Sequence, residues 1–150
     1  MRTYIGSGSY LIAHNSIDSA FANGAGIRVQ GIAGLPEARA IVVDNDVIMS
    51  APEGTIFGAN SAGIDVRRFA EGNVVMNNRI RGRARAALAA VARTGGVPGT
   101  TTFVLNDLTG FRSSLADVFV GAGVNNTLVI GAENSVEDHG AGTLIVPVPF

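Results

Sequence analysis

Short apolar runs recur along this chain, separated by clusters of Gly, Asn, Ser and Pro. Within the runs, apolar and other residues alternate and β-branched side chains are frequent, which is the two-residue period of a strand. One recurring stretch ends in a polar pair: Leu11–Asn15 (LIAHN), Val42–Asn45 (VVDN), Val75–Asn78 (VMNN) and Val104–Asp107 (VLND). Their last residues lie 30, 33 and 29 positions apart. A second stretch begins with Ala: Ala25–Val29 (AGIRV), Ala62–Val66 (AGIDV), Ala86–Ala90 (AALAA), Ala116–Val120 (ADVFV) and Ala141–Ile145 (AGTLI). The two alternate in the same order along the chain. A unit of about 30 residues with about three short strands cannot bury an apolar face alone, but it can when stacked on its own copies. Helix signals are weak apart from Arg83–Arg93, whose Ala and Leu favour a helix locally. Because Ala86–Ala90 falls where other repeats carry Gly-Ile-x-Val, the repeat predicts a strand there too.

These motifs resemble the right-handed parallel β-helix proteins of the pectate lyase-like superfamily, over roughly residues 10–146. The resemblance implies an all-β fold, a right-handed parallel β-helix (solenoid) of about five coils. Residues 1–9 are then a lead-in and 147–150 an apolar C-terminal tail. The Ala-Gly-Ile-x-Val stretch resembles the first strand of a coil. The stretch ending in Asn or Asp resembles the second strand and its tight turn, and Arg79–Arg81 the third strand. Ile27, Val29, Ile64, Val66, Leu88, Val118, Val120 and Ile145 should point inward, with Arg28, Asp65 and Phe119 outward. Asn and Asp tolerate left-handed backbone, and stacked amides can bond along the axis. Asn15, Asn45, Asn78 and Asp107 are therefore expected to form a structural ladder. On this alignment the first repeat enters at its second strand, as a short form or a piece of a longer protein would.

The length and composition fit one domain with a real core: 150 residues, 47% apolar and 15% charged. A formal net charge of -1 argues against an overall electrostatic grip on nucleic acid. The 11 basic residues are all Arg, so lysine Schiff-base chemistry and a Walker-type phosphate loop are excluded. The absence of Cys excludes disulfides, thiol catalysis and cysteine-ligated zinc. No apolar run approaches the roughly 18 residues that cross a bilayer, and Met1–Ser9 has no apolar signal core. No membrane association, cofactor or metal is expected. The family resemblance suggests an extracellular or cell-surface setting if the chain is part of a longer protein.

Polygalacturonase-like members carry catalytic Asp and His directly before the first strand of successive coils. The matching positions here are Ala25, Ala62, Ala86, Ala116 and Ala141. Alanine cannot move a proton, and glycoside hydrolysis needs facing carboxylates. No catalytic residue is therefore expected. His139, in Asp138-His139-Gly140, superficially matches a Gly-His-Gly motif but sits one residue off register and is read as a solvated turn residue. Asp44, Asp46, Asp65 and Asp107 are candidates for a Ca²⁺ site, with solvated turn carboxylates as the simpler reading.

Arg79, Arg81, Arg83 and Arg85 alternate and should share a side; with Arg67 and Arg68 they form a candidate ridge for an acidic polysaccharide. Acidic neighbours on adjacent coils are the competing partners for these guanidinium groups. No aromatic residue is interleaved in this run, which further disfavours nucleic acid. Phe119, Leu144 and Phe150 are expected to form an apolar patch through which the chain self-associates as a homo-oligomer, most simply a dimer. The function expected is a non-enzymatic structural or interaction module with weak binding of acidic carbohydrate on an outer sheet. The alternative is a carbohydrate-active enzyme, namely a lyase, hydrolase or epimerase of this superfamily.

Overall fold

The computed structural model describes residues 1–5, 8–33, 38–68, 70–92, 96–131 and 135–148. Among these the fold is all-β and contains no helix. Fourteen strands follow in order: β1 (Arg2–Ile5), β2 (Gly8–Ala13), β3 (Ser16–Ser19), β4 (Ala25–Gly31), β5 (Ala38–Val43), β6 (Asp46–Ser50) and β7 (Ala62–Arg67). The second half holds β8 (Asn73–Met76), β9 (Arg79–Val91), β10 (Thr101–Val104), β11 (Phe111–Val120), β12 (Thr127–Ile130), β13 (Val136–Asp138) and β14 (Leu144–Val146).

Among the described residues every strand pairing is parallel. The first sheet runs β1-β4-β7-β9-β11-β13, with β3 and β6 joined to it through β9; the second runs β2-β5-β8-β10-β12-β14. The chain therefore leaves each sheet, visits the other, and returns one strand further on. Arg2 is already in register with Arg28, so the first sheet begins inside the segment expected to be only a lead-in.

The inward columns follow from register. Ile27, Ile64, Leu88 and Val118 are successive partners, as are Val29, Val66, Ala90 and Val120, and all are buried. Across from them Ile12, Val42, Val75, Phe103 and Val129 form the inner face of the second sheet. Each large aliphatic residue so buried contributes about 1.5–3 kcal/mol relative to an exposed one.

β9 shows how packing overrides local preference. Arg79–Arg83 pairs with β6 and Ala86–Val91 with β7, so one strand serves two rows. Its alanines fill narrow slots: Ala87 is buried, and a Cβ on Gly63 would stand 2.7 Å from the Ala87 carbonyl oxygen. A helix over this segment would forfeit both ladders and that close packing. Gly82 lets the strand pass from one row to the next. Its φ is 91°, and a Cβ there would lie 2.2 Å from the Met49 carbonyl oxygen.

The last repeat departs from the expected alignment. Val136, Glu137 and Asp138 of β13 partner Val118, Phe119 and Val120, so β13 takes the first-sheet place expected of Ala141–Ile145. Ala141 stands beside Asn125, and β14 pairs with β12 in the second sheet. Ile145 is 44% exposed although its partner Val129 is buried, because β14 is the outermost strand of that sheet among the described residues.

Candidate functional site

Four of the five expected alanines are in register: Ala25, Ala62, Ala86 and Ala116 are successive partners. Ala62, Ala86 and Ala116 are buried. They make a row of methyl groups, which can neither donate nor accept a proton. Beside it, on the first sheet, Arg28, Asp65, Ala89, Phe119 and Glu137 form one register column.

Asp65 is the centre of the polar cluster. Its side chain is 1% exposed, and its Oδ2 accepts from Arg67 Nε at 2.5 Å and Arg28 Nε at 3.1 Å. Both guanidiniums also reach Asn60: Arg67 donates to its Oδ1 at 3.0 Å and Arg28 to its carbonyl oxygen at 3.2 Å. Asp65 Oδ1 and Ser61 Oγ are buried without a hydrogen-bond partner among the described residues. Burial pushes the Asp65 carboxyl above the usual carboxylate range, against the pull of Arg67 and then Arg28. Asp65 faces outward by register, as expected, but these arginines cover it.

A shallow pocket next to this cluster is lined by Ser61, Asp65, Arg67, Arg85, Ala89 and Phe119, among others. Arg85 lies over the Phe119 ring, its Cζ 5.6 Å from the centroid, in cation–π contact. No carboxylate pairs with Arg85 among the described residues.

The other ridge arginines are occupied. Arg81 binds both carboxylate oxygens of Asp46, at 2.7 and 2.9 Å. Arg79 pairs with Asp107 and Arg83 with Glu53, each at 3.4 Å. Arg67, being buried against Asp65, belongs to a different cluster from these exposed pairs. The four aspartates of the Ca²⁺ candidate are likewise dispersed, since Asp44 accepts from Asn77 Nδ2 and the other three pair with separate arginines. Among the described residues no three His, Asp or Glu side chains gather as a metal cluster. His139 Nε2 lies 2.9 Å from Glu137 Oε1, and its ring meets Phe119 at 5.9 Å.

Asn15, Asn45 and Asn78 are bonded in sequence, amide to amide: Asn15 Nδ2 donates to Asn45 Oδ1 and Asn45 Nδ2 to Asn78 Oδ1, both at 2.8 Å. The next rung is Asn106, whose Oδ1 accepts from Asn78 Nδ2 at 3.0 Å; Asp107 is not in the row. An amide both donates and accepts, so it can pass the bond on, whereas an ionised carboxylate can only accept. Asp107 instead bonds to Thr109, whose side-chain hydroxyl first and backbone N–H second hold its carboxyl below the usual range. The left-handed residue also proves to be the one before each rung: His14, Asp44, Asn77 and Leu105 have φ of 56°, 55°, 52° and 46°.

The residues of the expected apolar patch are divided between the sheets. Phe119 lies in the first sheet beneath Arg85, and Leu144 in the second; Phe150 lies outside the described residues. Among the described residues no helix is long and apolar enough to cross a membrane. No family model, curated protein or solved structure matches the chain.

Proposed function

We propose that this chain is a non-enzymatic right-handed parallel β-helix of about five coils, a structural and interaction module that binds acidic carbohydrate weakly on the outer face of its first sheet. The parallel pairing of strands 30, 33 and 28 residues apart, seen rung by rung at the asparagines, supports a solenoid path. Crossovers between parallel strands are right-handed in about 98% of cases, which supports the hand. The pectate lyase-like resemblance rests on the repeat motifs alone.

The observation that carries the function is the alanine register, Ala25–Ala62–Ala86–Ala116, beside the unpaired guanidinium of Arg85. The row offers no proton donor or acceptor. Arg85, fixed by Phe119, offers two N–H groups of the spacing that a carboxylate takes. Binding through one such cation on an open face is weak and salt-dependent.

The second reading, a carbohydrate-active enzyme, draws on Asp65 between Arg28 and Arg67. In that reading the buried carboxyl is the reactive group. Its accessible chemistry is small, because Oδ2 is held by both guanidiniums and the side chain is covered.

Incubation with a panel of acidic polysaccharides, with and without Ca²⁺, separates the two. The module retards these polymers at low salt, loses the effect in Arg85→Ala, and generates no new chain ends. Appearance of unsaturated or reducing ends, abolished by Asp65→Asn, overturns the non-enzymatic reading.

A further inference from the structure

The outer face of the second sheet is chemically unlike that of the first. Leu11, Ile41, Val74, Thr102, Leu128 and Leu144 form one outward column in unbroken register. Two residues further along each strand, the column from Ala13 to Val146, with Met76 and Val104 at its centre, contains only apolar residues. Neither column holds a charge. Between them runs the inward column from Ile12 to Val129, which is buried, so alternation directs these residues away from the core. Leu11 is 69% and Leu144 59% exposed, and Ile41, Met76 and Val146 are exposed as well. Purely parallel sheets almost always have both faces covered, and contiguous apolar surface of this kind marks an interaction site.

We infer that this face is covered by the same face of a second copy of the chain. A partner with charged contacts would leave its own charges unpaired against twelve uncharged positions, whereas a second copy brings an equally uncharged surface. A two-fold axis lying in the interface along the strand direction maps the face onto itself. That axis sets β2 of one copy over β14 of the other. Leu11 then meets Leu144 at both rims, Ile41 meets Leu128, and the smaller Val74 and Thr102 meet at the centre. Five strand spacings by four residues give a face of about 24 by 13 Å, on the order of 300 Å² in projection. A standard stable interface buries about 800 Å² per partner, so the dimer belongs to the weak, reversible class. The interface uses neither Arg85 nor Asp65, so anion binding and self-association fail independently.

Sedimentation equilibrium of the full chain tests this. The weight-average mass should rise from 15.4 kDa toward twice that value, over roughly 10 µM to 1 mM. Ile41→Glu and Leu128→Lys should each hold the protein monomeric, and an equimolar mixture of the two should restore association. Circular dichroism checks that both variants keep their strand content. Ile41→Thr, which keeps the β-branch, should weaken the dimer at least 10-fold without threatening the fold. A monomer throughout this range overturns the proposal, as does association unchanged in both charged variants or not restored by mixing them. A wild-type chain that stays monomeric but binds neutral phosphatidylcholine vesicles assigns the face to a lipid surface instead, and also overturns it.

Discussion

Asn45 donates its amide hydrogens to Asn78 Oδ1 at 2.8 Å and to the carbonyl oxygens of Ile12 and Val43, at 2.9 and 3.0 Å. Asn78 Oδ1 in turn also accepts from the Asn45 backbone N–H at 3.1 Å. Both side chains are buried, so a single amide at each rung satisfies groups from three consecutive repeats. The polar row is a tie between repeats, placed where the chain turns.

Replacing Asn78 with Ala leaves the Asn45 N–H, the Asn106 Oδ1 and the carbonyl oxygens of Val42 and Met76 without this partner. Each orphaned buried group costs about 1–3 kcal/mol, partly relieved by relaxation and water. Asn78→Ala should therefore lower unfolding stability by about 3 kcal/mol in a urea titration, whereas Asp107→Ala should change it by less than about 1 kcal/mol.

Gly82→Ala tests the passage of β9 between rows. The substitution meets both a positive φ and the Met49 carbonyl oxygen, which is backbone and cannot rotate away. The expected loss is at least about 2 kcal/mol. Gly110→Ala shares the positive φ but has open space around its Cβ, so it isolates the conformational part. A Gly82 variant no worse than the Gly110 variant would contradict the close approach.

Asp65 has a definite sign in the pH dependence of stability. Burial raises its folded pKa above that of a free aspartate carboxyl. Between the two values the native state holds the proton that the unfolded chain has released, so this contribution falls as pH rises through that window. Asp107, with a lowered pKa, acts oppositely: its contribution is present above 3.8 and is lost as pH falls through its folded value. Denaturant midpoints of wild type minus Asp65→Asn should decline with rising pH above about 4. A difference that increases with pH would reverse the assignment.

In the Arg81–Asp46 pair a single guanidinium nitrogen, Nη2, reaches both carboxylate oxygens, and both side chains are more than a third exposed. A double-mutant cycle with Arg81→Ala and Asp46→Ala should give a coupling energy of about 0.5–1 kcal/mol, halved or lost in 1 M salt.

The period, the strand character and most of the core were legible because they depend on residue type at fixed spacing. Ile27, Ile64, Leu88 and Val118 could be aligned by eye. Even the alanine-rich segment yielded its strand once its neighbours were compared. What misled was phase. Val-Leu-Asn106-Asp107 places two competent polar residues in tandem, and only hydrogen-bond connectivity distinguishes the rung from its neighbour. Ala141–Ile145 copies the composition of a first strand while pairing in the second sheet, since the turn-rich stretch before it shifts the repeat. The buried cluster was harder still. Asp65, Arg28 and Arg67 come from two strands and read separately as surface charges; the shared column of Arg28 and Asp65 was the available signal. The charge-free outer columns of the second sheet were present as the second apolar residue of each repeat, and nothing in one repeat alone reveals that six of them align.

The double pairing of β9 also bears on how the chain acquires its structure. In a stack of parallel strands no rung can form until its neighbour supplies a template, and closing each crossover of some 30 residues has an entropic cost before any ladder forms. β9 touches β6, β7 and β11 at once, and is the only strand that joins the β3–β6 row to the rest of the first sheet among the described residues. β9 is therefore the expected nucleus, with growth expected toward both termini. Substitutions at Ala87 or Gly63 should then slow refolding, while those at Ile12 or Val129 should chiefly hasten unfolding.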